Sequence, residues 1–133
     1  MPDVVIDYVL VMPDKPVILV VDDDQPILLL MRNILREFGF EPQVASTGAA
    51  AVDAVRAQRP DLVLLDMKMP GMSGDEVIAA MREGGDSFPI LILSGEPVDP
   101  AEIRRLGVAG AVQKPFDVNG LVEQIKAHVG VRR

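Results

Sequence analysis

A chain of 133 residues, 49% of them hydrophobic, is long enough to bury one core of its own. Its 20 acidic against 13 basic side chains, a formal net charge of -7, argue against a nucleic-acid surface, which needs clustered Lys and Arg to meet phosphates. The absence of cysteine excludes a disulfide framework and a thiolate metal site, and the single histidine, His128 in the last helical pattern, builds no His-based site without a distant partner.

The first residues stand apart. Val4 to Val11 is an apolar octet broken by Asp7, too short to span a bilayer and without the basic start and small-residue cleavage site of a signal peptide. A cytoplasmic protein is therefore expected. Met12-Pro-Asp-Lys-Pro16 leads into the first strand as an ordinary amino terminus does, so residues 1–16 read as an extension. Residues 1–11 are either an appendage produced from an upstream start codon or an extra strand used in self-association. An appendage predicts that their removal leaves thermal stability nearly unchanged.

From Val17 the pattern is regular. Val17–Val21 is a β-branched apolar run, Asp22-Asp-Asp-Gln-Pro26 follows, and a helical pattern runs from Ile27 to Phe38 with Pro26 in its first turn and Gly39 at its end. The alternation repeats as strand 41–45, helix 48–58, strand 61–65, helix 75–83, strand 89–93, a shorter helical piece near 100–106, a brief strand 110–112 and a closing helix 118–129. Five strands alternating with five helices predict one α/β domain over 17–129, its parallel sheet covered on both faces through right-handed crossovers, followed by a short tail at 130–133.

The carboxyl ends of these strands carry the chemistry. In an open parallel sheet, ligands sit beyond those ends. The first strand delivers Asp22, Asp23 and Asp24, the third Asp66 ahead of the Pro70 and Gly71 turn, the fourth Ser94-Gly95, and the fifth Lys114-Pro115. Carboxylates gathered at one edge repel and raise one another's pKa unless a cation joins them, and a hard divalent ion such as Mg2+ takes carboxylates, waters and a phosphate oxygen. Lys114 and Ser94 add a point charge and a hydroxyl donor, the usual companions of a phosphoryl group. The set reads as a site at which an aspartate accepts phosphate, with Asp24 mainly a helix-start acid and Met67, Met69 and Met72 as loop packing.

Residues 17–129 resemble a response-regulator receiver domain of two-component signalling. The resemblance rests on the acidic pair Asp22-Asp23, the Asp66-Met-Lys-Met-Pro70-Gly-Met-Ser-Gly74 segment, Ser94-Gly95 and Lys114-Pro115-Phe116, in that order. It implies a flavodoxin-like, doubly wound five-stranded sheet of order 2-1-3-4-5, an arrangement known for the chemotaxis receiver and taken over rather than derived. It implies that Asp66 is the phosphoacceptor, receiving the phosphoryl group of a phosphohistidine on a sensor histidine kinase or histidine phosphotransfer protein. It also implies Mg2+ held by Asp22, Asp23, Asp66 and the backbone carbonyl of Lys68, with Ser94 on a phosphoryl oxygen and Lys114 bridging Asp66 and the phosphate. Nothing in this calls for enzymatic turnover beyond self-phosphorylation and autodephosphorylation.

Some positions depart from the family. Ala111 stands where receivers often place an aromatic switch residue, and Pro97 and Pro100 restrict the start of the fourth helix, which is expected to be short, shifted or irregular. Lys68 and Glu96 have opposite charges and are expected to pair across the mouth of the site. No output module follows Val129, so the expectation is a stand-alone receiver or a fragment of a longer regulator, without direct nucleic-acid or membrane contact, its downstream target unidentified, with a homodimer as an option. Two alternatives remain: a degenerate receiver that binds proteins without phosphorylation, and, more distantly, a haloacid-dehalogenase-like phosphohydrolase built on Asp22-Asp-Asp24.

Overall fold

The structure is a computed structural model, and it describes residues 15–129. The readings made for residues 1–14 and 130–133 lie outside the described residues. Five strands, β1 (Val17–Val21), β2 (Glu41–Ala45), β3 (Leu62–Asp66), β4 (Ile90–Ser94) and β5 (Gly110–Gln113), form one parallel sheet in the order β2-β1-β3-β4-β5. Helices α1 (Gln25–Glu37), α2 (Gly48–Ala57), α3 (Gly74–Arg82), α4 (Pro100–Leu106) and α5 (Val118–Val129) connect and cover it.

The continuous apolar runs are what a sheet covered on both faces requires. Every residue of β1 and β3 is buried, and alternation sends successive side chains to opposite layers. Ile18, Val20, Leu62 and Leu64 join Leu28, Met31 and Leu35 of α1 and Leu121, Val122 and Ile125 of α5. Leu19, Val21, Val63 and Leu65 meet Val52 and Val55 of α2 and Val77, Ile78 and Met81 of α3. Each such aliphatic side chain contributes roughly 1.5–3 kcal/mol on burial, so the central strands anchor the loops at their carboxyl ends.

Three strands, β3, β4 and β5, end one residue later than the sequence pattern indicated. Asp66 registers with Leu93, and Ser94 with Gln113. A polar side chain does not prevent its backbone from staying in the ladder, and the ladder therefore holds both site residues.

The helix starts follow the capping chemistry. The Asp24 carboxylate accepts the Ile27 N–H at 3.3 Å, the Thr47 hydroxyl the Ala50 N–H at 3.0 Å, and Ser73 with Glu76 closes a capping box at 3.1 and 2.8 Å. The fourth helix is short, at seven residues, as expected, and it is regular. Asp99 caps its start by accepting the Ala101 N–H at 2.8 Å, and Gly107 ends it in the left-handed region at φ 70°. Arg105 ties it to α3 through Asp75 at 3.2 Å.

The edge strand β2 is blunted. The Glu41 N–H donates to the Pro16 carbonyl at 2.8 Å, so the amides of Glu41, Gln43 and Ala45 face β1, and the next outward-facing position is Pro42, which has no N–H.

Close packing of α2 on α3 yields one prediction. A Cβ on Gly48 would stand 2.6 Å from Val77 Cγ2 and 3.1 Å from Met72 Cβ, and neither atom is the free end of a flexible chain. Gly48→Ala is expected to destabilise the fold by about 1–3 kcal/mol, read as a lower urea midpoint at unchanged slope.

Candidate functional site

Four chain segments converge beyond the carboxyl edge of the sheet. Asp22 follows β1 directly and is 1% exposed. Its backbone N–H donates to the Ala45 carbonyl at 3.1 Å, and its Oδ1 accepts the Asp24 N–H at 3.0 Å. Asp66, the last residue of β3, is 8% exposed, and its Oδ1 accepts the Lys68 N–H at 3.0 Å. Lys114 is held where β5 ends: its backbone N–H donates to the Ser94 carbonyl at 2.7 Å, and a cis peptide bond joins it to Pro115.

From there the Lys114 ammonium reaches both buried carboxylates. Nζ stands 3.2 Å from Asp22 Oδ2 and 3.5 Å from Asp66 Oδ2. Asp23 is exposed and completes a trio: carboxylate oxygens of Asp22, Asp23 and Asp66 lie within 4.8 Å of one another. The sequence reading paired Lys114 with Asp66 alone. The nearer contact to Asp22 joins residues 92 positions apart, and no local signal announces it.

The electrostatics are unbalanced. Burial pushes the Asp66 carboxyl above its ordinary range; the Lys68 N–H pulls it back, the Asp22 charge raises it again, and Lys114 opposes that. For Lys114, burial works against the ammonium, yet the hydrogen bond and charge of Asp22, followed by those of Asp66, outweigh it and raise its pKa. One ammonium thus pairs with two of the three clustered carboxylates. An oxygen-only donor set with surplus negative charge and one solvent-facing member fits a hard divalent cation that keeps some of its waters.

The rim is formed by the remaining candidates. Ser94 donates its hydroxyl hydrogen to the Glu96 carbonyl at 2.7 Å and accepts the Glu96 N–H at 3.1 Å, so its side chain is engaged with its own loop. Lys68 Nζ and Glu96 Oε2 pair at 3.8 Å across the mouth, as their charges suggested, and with 77% and 79% of these side chains exposed the pair contributes under about 1 kcal/mol. Asp24 serves α1 as its cap, and Met67, Met69 and Met72 pack against the α2–α3 core layer. Ala111 registers with Ile92 of β4 and packs in the same layer as Val98, Ile103 and Val108.

Beside Lys114 lies a feature absent from the sequence reading. Ile27, Leu30, Pro115 and Phe116 join Lys114 around a mainly apolar concavity of about 400 Å³, and Leu30 is 51% exposed. Its signal was weak, because Leu29 and Leu30 sit in an otherwise ordinary amphipathic helix. Among the described residues, no helix is long and apolar enough to cross a membrane.

Comparison with known proteins agrees with this architecture. A family model described as the response regulator receiver domain matches residues 18–126. The sporulation initiation phosphotransferase F of Bacillus subtilis (strain 168) is 34% identical over 117 residues, which are 86% of this chain and 94% of that protein. The DNA-binding response regulator MtrA of Mycolicibacterium smegmatis is 39% identical over 114 residues, 84% of this chain, and the chain spans only 50% of that relative's length. The structure of the Vibrio cholerae chemotaxis protein CheY4 superposes with a TM-score of 0.79 at 28% identity, covering 86% of this chain and 98% of that one.

Proposed function

The chain belongs to the response regulator receiver family of two-component signalling, and from that premise we propose that Asp66 is its phosphoacceptor, that residues 17–129 are the receiver unit, and that 1–16 and 130–133 are extensions. The observation that carries this is the single ammonium of Lys114 shared, at 3.2 and 3.5 Å, by two buried carboxylates that come with the exposed Asp23. Receivers bind a divalent metal at such a cluster and exchange phosphoryl groups with histidine kinases or phosphotransfer proteins. For this chain the ion is Mg2+, and its ligands are Asp22, Asp23, Asp66 and the Lys68 carbonyl. When bound, it supplies positive charge against the carboxylates and the phosphoryl oxygens.

The protein's own groups do the rest. An Asp66 oxygen forms the new P–O bond while the P–N bond to the donor imidazole breaks and its electron pair leaves with the ring. The transferring group carries charge on its equatorial oxygens, and Lys114 is placed to take part of it. The Ser94 hydroxyl must turn from the Glu96 carbonyl toward the phosphate to contribute its donor. Water later breaks the acyl P–O bond and restores the carboxylate, so the cycle is self-phosphorylation followed by autodephosphorylation, not turnover of a separate substrate. The apolar concavity beside Lys114 suits the helix of a donor protein, which would bring its phosphohistidine within reach of Asp66. The acidic balance and the fold support a cytoplasmic protein that acts through protein contacts, either alone or as the receiver part of a longer regulator.

Intact mass after incubation with acetyl phosphate tests the reading. One acid-labile phosphate per chain is expected with Mg2+ and none without it. If no adduct forms while Mg2+ demonstrably binds, a beryllofluoride binding test decides: binding points to a very short-lived phosphate, and no binding favours the phosphorylation-independent module.

A further inference from the structure

Three methionines, Met67, Met69 and Met72, follow Asp66 in the loop between β3 and α3. They are partly exposed while packed against the α2–α3 layer, whereas Met31 and Met81 are 0% and 2% exposed. Two of the three thioethers are seated where a glycine leaves room. A Cβ on Gly74 would overlap Sδ and Cε of Met67, and one on Gly48 would stand 3.2 Å from Sδ of Met72. Met67 differs from the other two in its place in the chain. It lies between Asp66 and Lys68, and the Lys68 N–H donates to Asp66 Oδ1 at 3.0 Å. That amide belongs to the peptide group joining Met67 to Lys68, so a Met67 side chain held in its notch also holds the donor of this hydrogen bond.

We propose that Met67 is an oxidation site for hydroperoxides, and that its sulfoxide releases the Lys68 N–H from Asp66. With H2O2 the sulfur lone pair forms an S–O bond and the O–O bond breaks. The departing hydroxide takes the proton left on the transferred oxygen and leaves as water; sulfur loses two electrons and the peroxide gains them. The product is polar where the thioether is apolar. The notch has no space for the added oxygen, because the sulfur already fills the place of a side chain on Gly74, and close-packed surroundings accommodate an extra atom only by moving. The new oxygen also needs a hydrogen-bond donor, which water supplies outside the notch. Both effects draw Met67 outward, and the peptide that carries the Lys68 N–H turns with it. The consequence for the metal rests on the function proposed above, in which the Lys68 carbonyl is a ligand; the response of the loop does not.

The test treats the full chain with H2O2, locates sulfoxides by peptide mass mapping, and follows the Lys68 amide by NMR without metal. Met67 is expected to oxidise well before Met31 and Met81, and the Lys68 amide then to exchange about tenfold faster while β1 and β3 keep their protection. Methionine sulfoxide reductase should reverse the change. In Met67→Leu, a substitution of similar volume, peroxide should leave Lys68 exchange unaltered, and the double variant Met69→Leu/Met72→Leu should respond as the native chain does. A Met67 no more reactive than Met31, a Lys68 amide indifferent to complete oxidation of Met67, or a response lost in the double variant would each overturn the inference. Calorimetry should show the Mg2+ Kd of the oxidised chain raised about tenfold or more. Mg2+ binding to neither form would count against the proposed ion, and the amide result alone then decides whether Met67 controls the loop.

Discussion

Asp66→Ala is expected to carry no phosphate after incubation with acetyl phosphate and Mg2+: under the proposed role of Asp66, the oxygen that would form the P–O bond is gone and neither neighbouring acid replaces it. Asp22 is the more deeply buried carboxylate and the nearer partner of Lys114, at 3.2 Å, and Asp23 stands at the exposed side of the cluster. Intact mass reads this directly, and an equal adduct in the variant would move the acceptor elsewhere. A companion variant separates chemistry from stability. Burial and the Asp22 charge raise the Asp66 pKa above its unfolded value, so ionisation costs more in the metal-free fold than in the unfolded chain. Stability is therefore lost as pH rises through the raised value, and the loss is complete above it. Asp66→Asn removes that charge while Lys114 keeps Asp22, so without metal it is expected to be more stable than the native chain at neutral pH, by on the order of 1 kcal/mol. Saturating Mg2+ is expected to reverse the order: if bound as proposed, at a hundredfold excess over its Kd it should stabilise the native chain by about 2.7 kcal/mol, and the variant far less. Paired thermal melts with chelator and with Mg2+ check both halves.

Phe88→Ala is the most damaging single change expected outside the site, at about 3–5 kcal/mol. Phe88 is fully buried in the loop before β4, among the largest side chains of the α2–α3 layer. Its ring also lies beneath the Arg82 guanidinium, 4.8 Å from the centroid, and Arg82 Nη1 donates to the Phe88 carbonyl. Truncation leaves a cavity, removes that cation–π contact, and loosens the side chain that ties the end of α3 to β4. Chemical denaturation measures the loss. Phe88→Leu, which retains most of the volume, should recover more than half of it.

Phe88 also shows where sequence patterning stops. It belongs to no period, since it lies in a loop between a helix and a strand, and only the folded chain gives it neighbours. The same holds for Arg105, which bridges Glu102 and Asp75 and pins α4 to α3 across 30 residues. The prolines near the fourth helix foretold its length. Its regularity came from Asp99, Gly107 and this bridge.

What the sequence by itself determined was whatever is local or periodic. The apolar runs, the helix-start acid Asp24, and the carboxylates, hydroxyl and lysine at the strand ends are visible in one dimension, because each depends on near neighbours or on alternation, whereas the caps Thr47, Ser73 and Asp99 were identified in the folded chain. The sheet order entered the reading through family resemblance, and the tertiary structure bears it out. Tertiary structure alone decided which charges meet. Lys114 shares its ammonium between Asp22 and Asp66, Ser94 faces Glu96, and Arg32 is left with a buried, unpartnered Nε among the described residues. Electrostatic energy depends on distance through space and on burial, and both are set when parallel strands bring remote segments side by side.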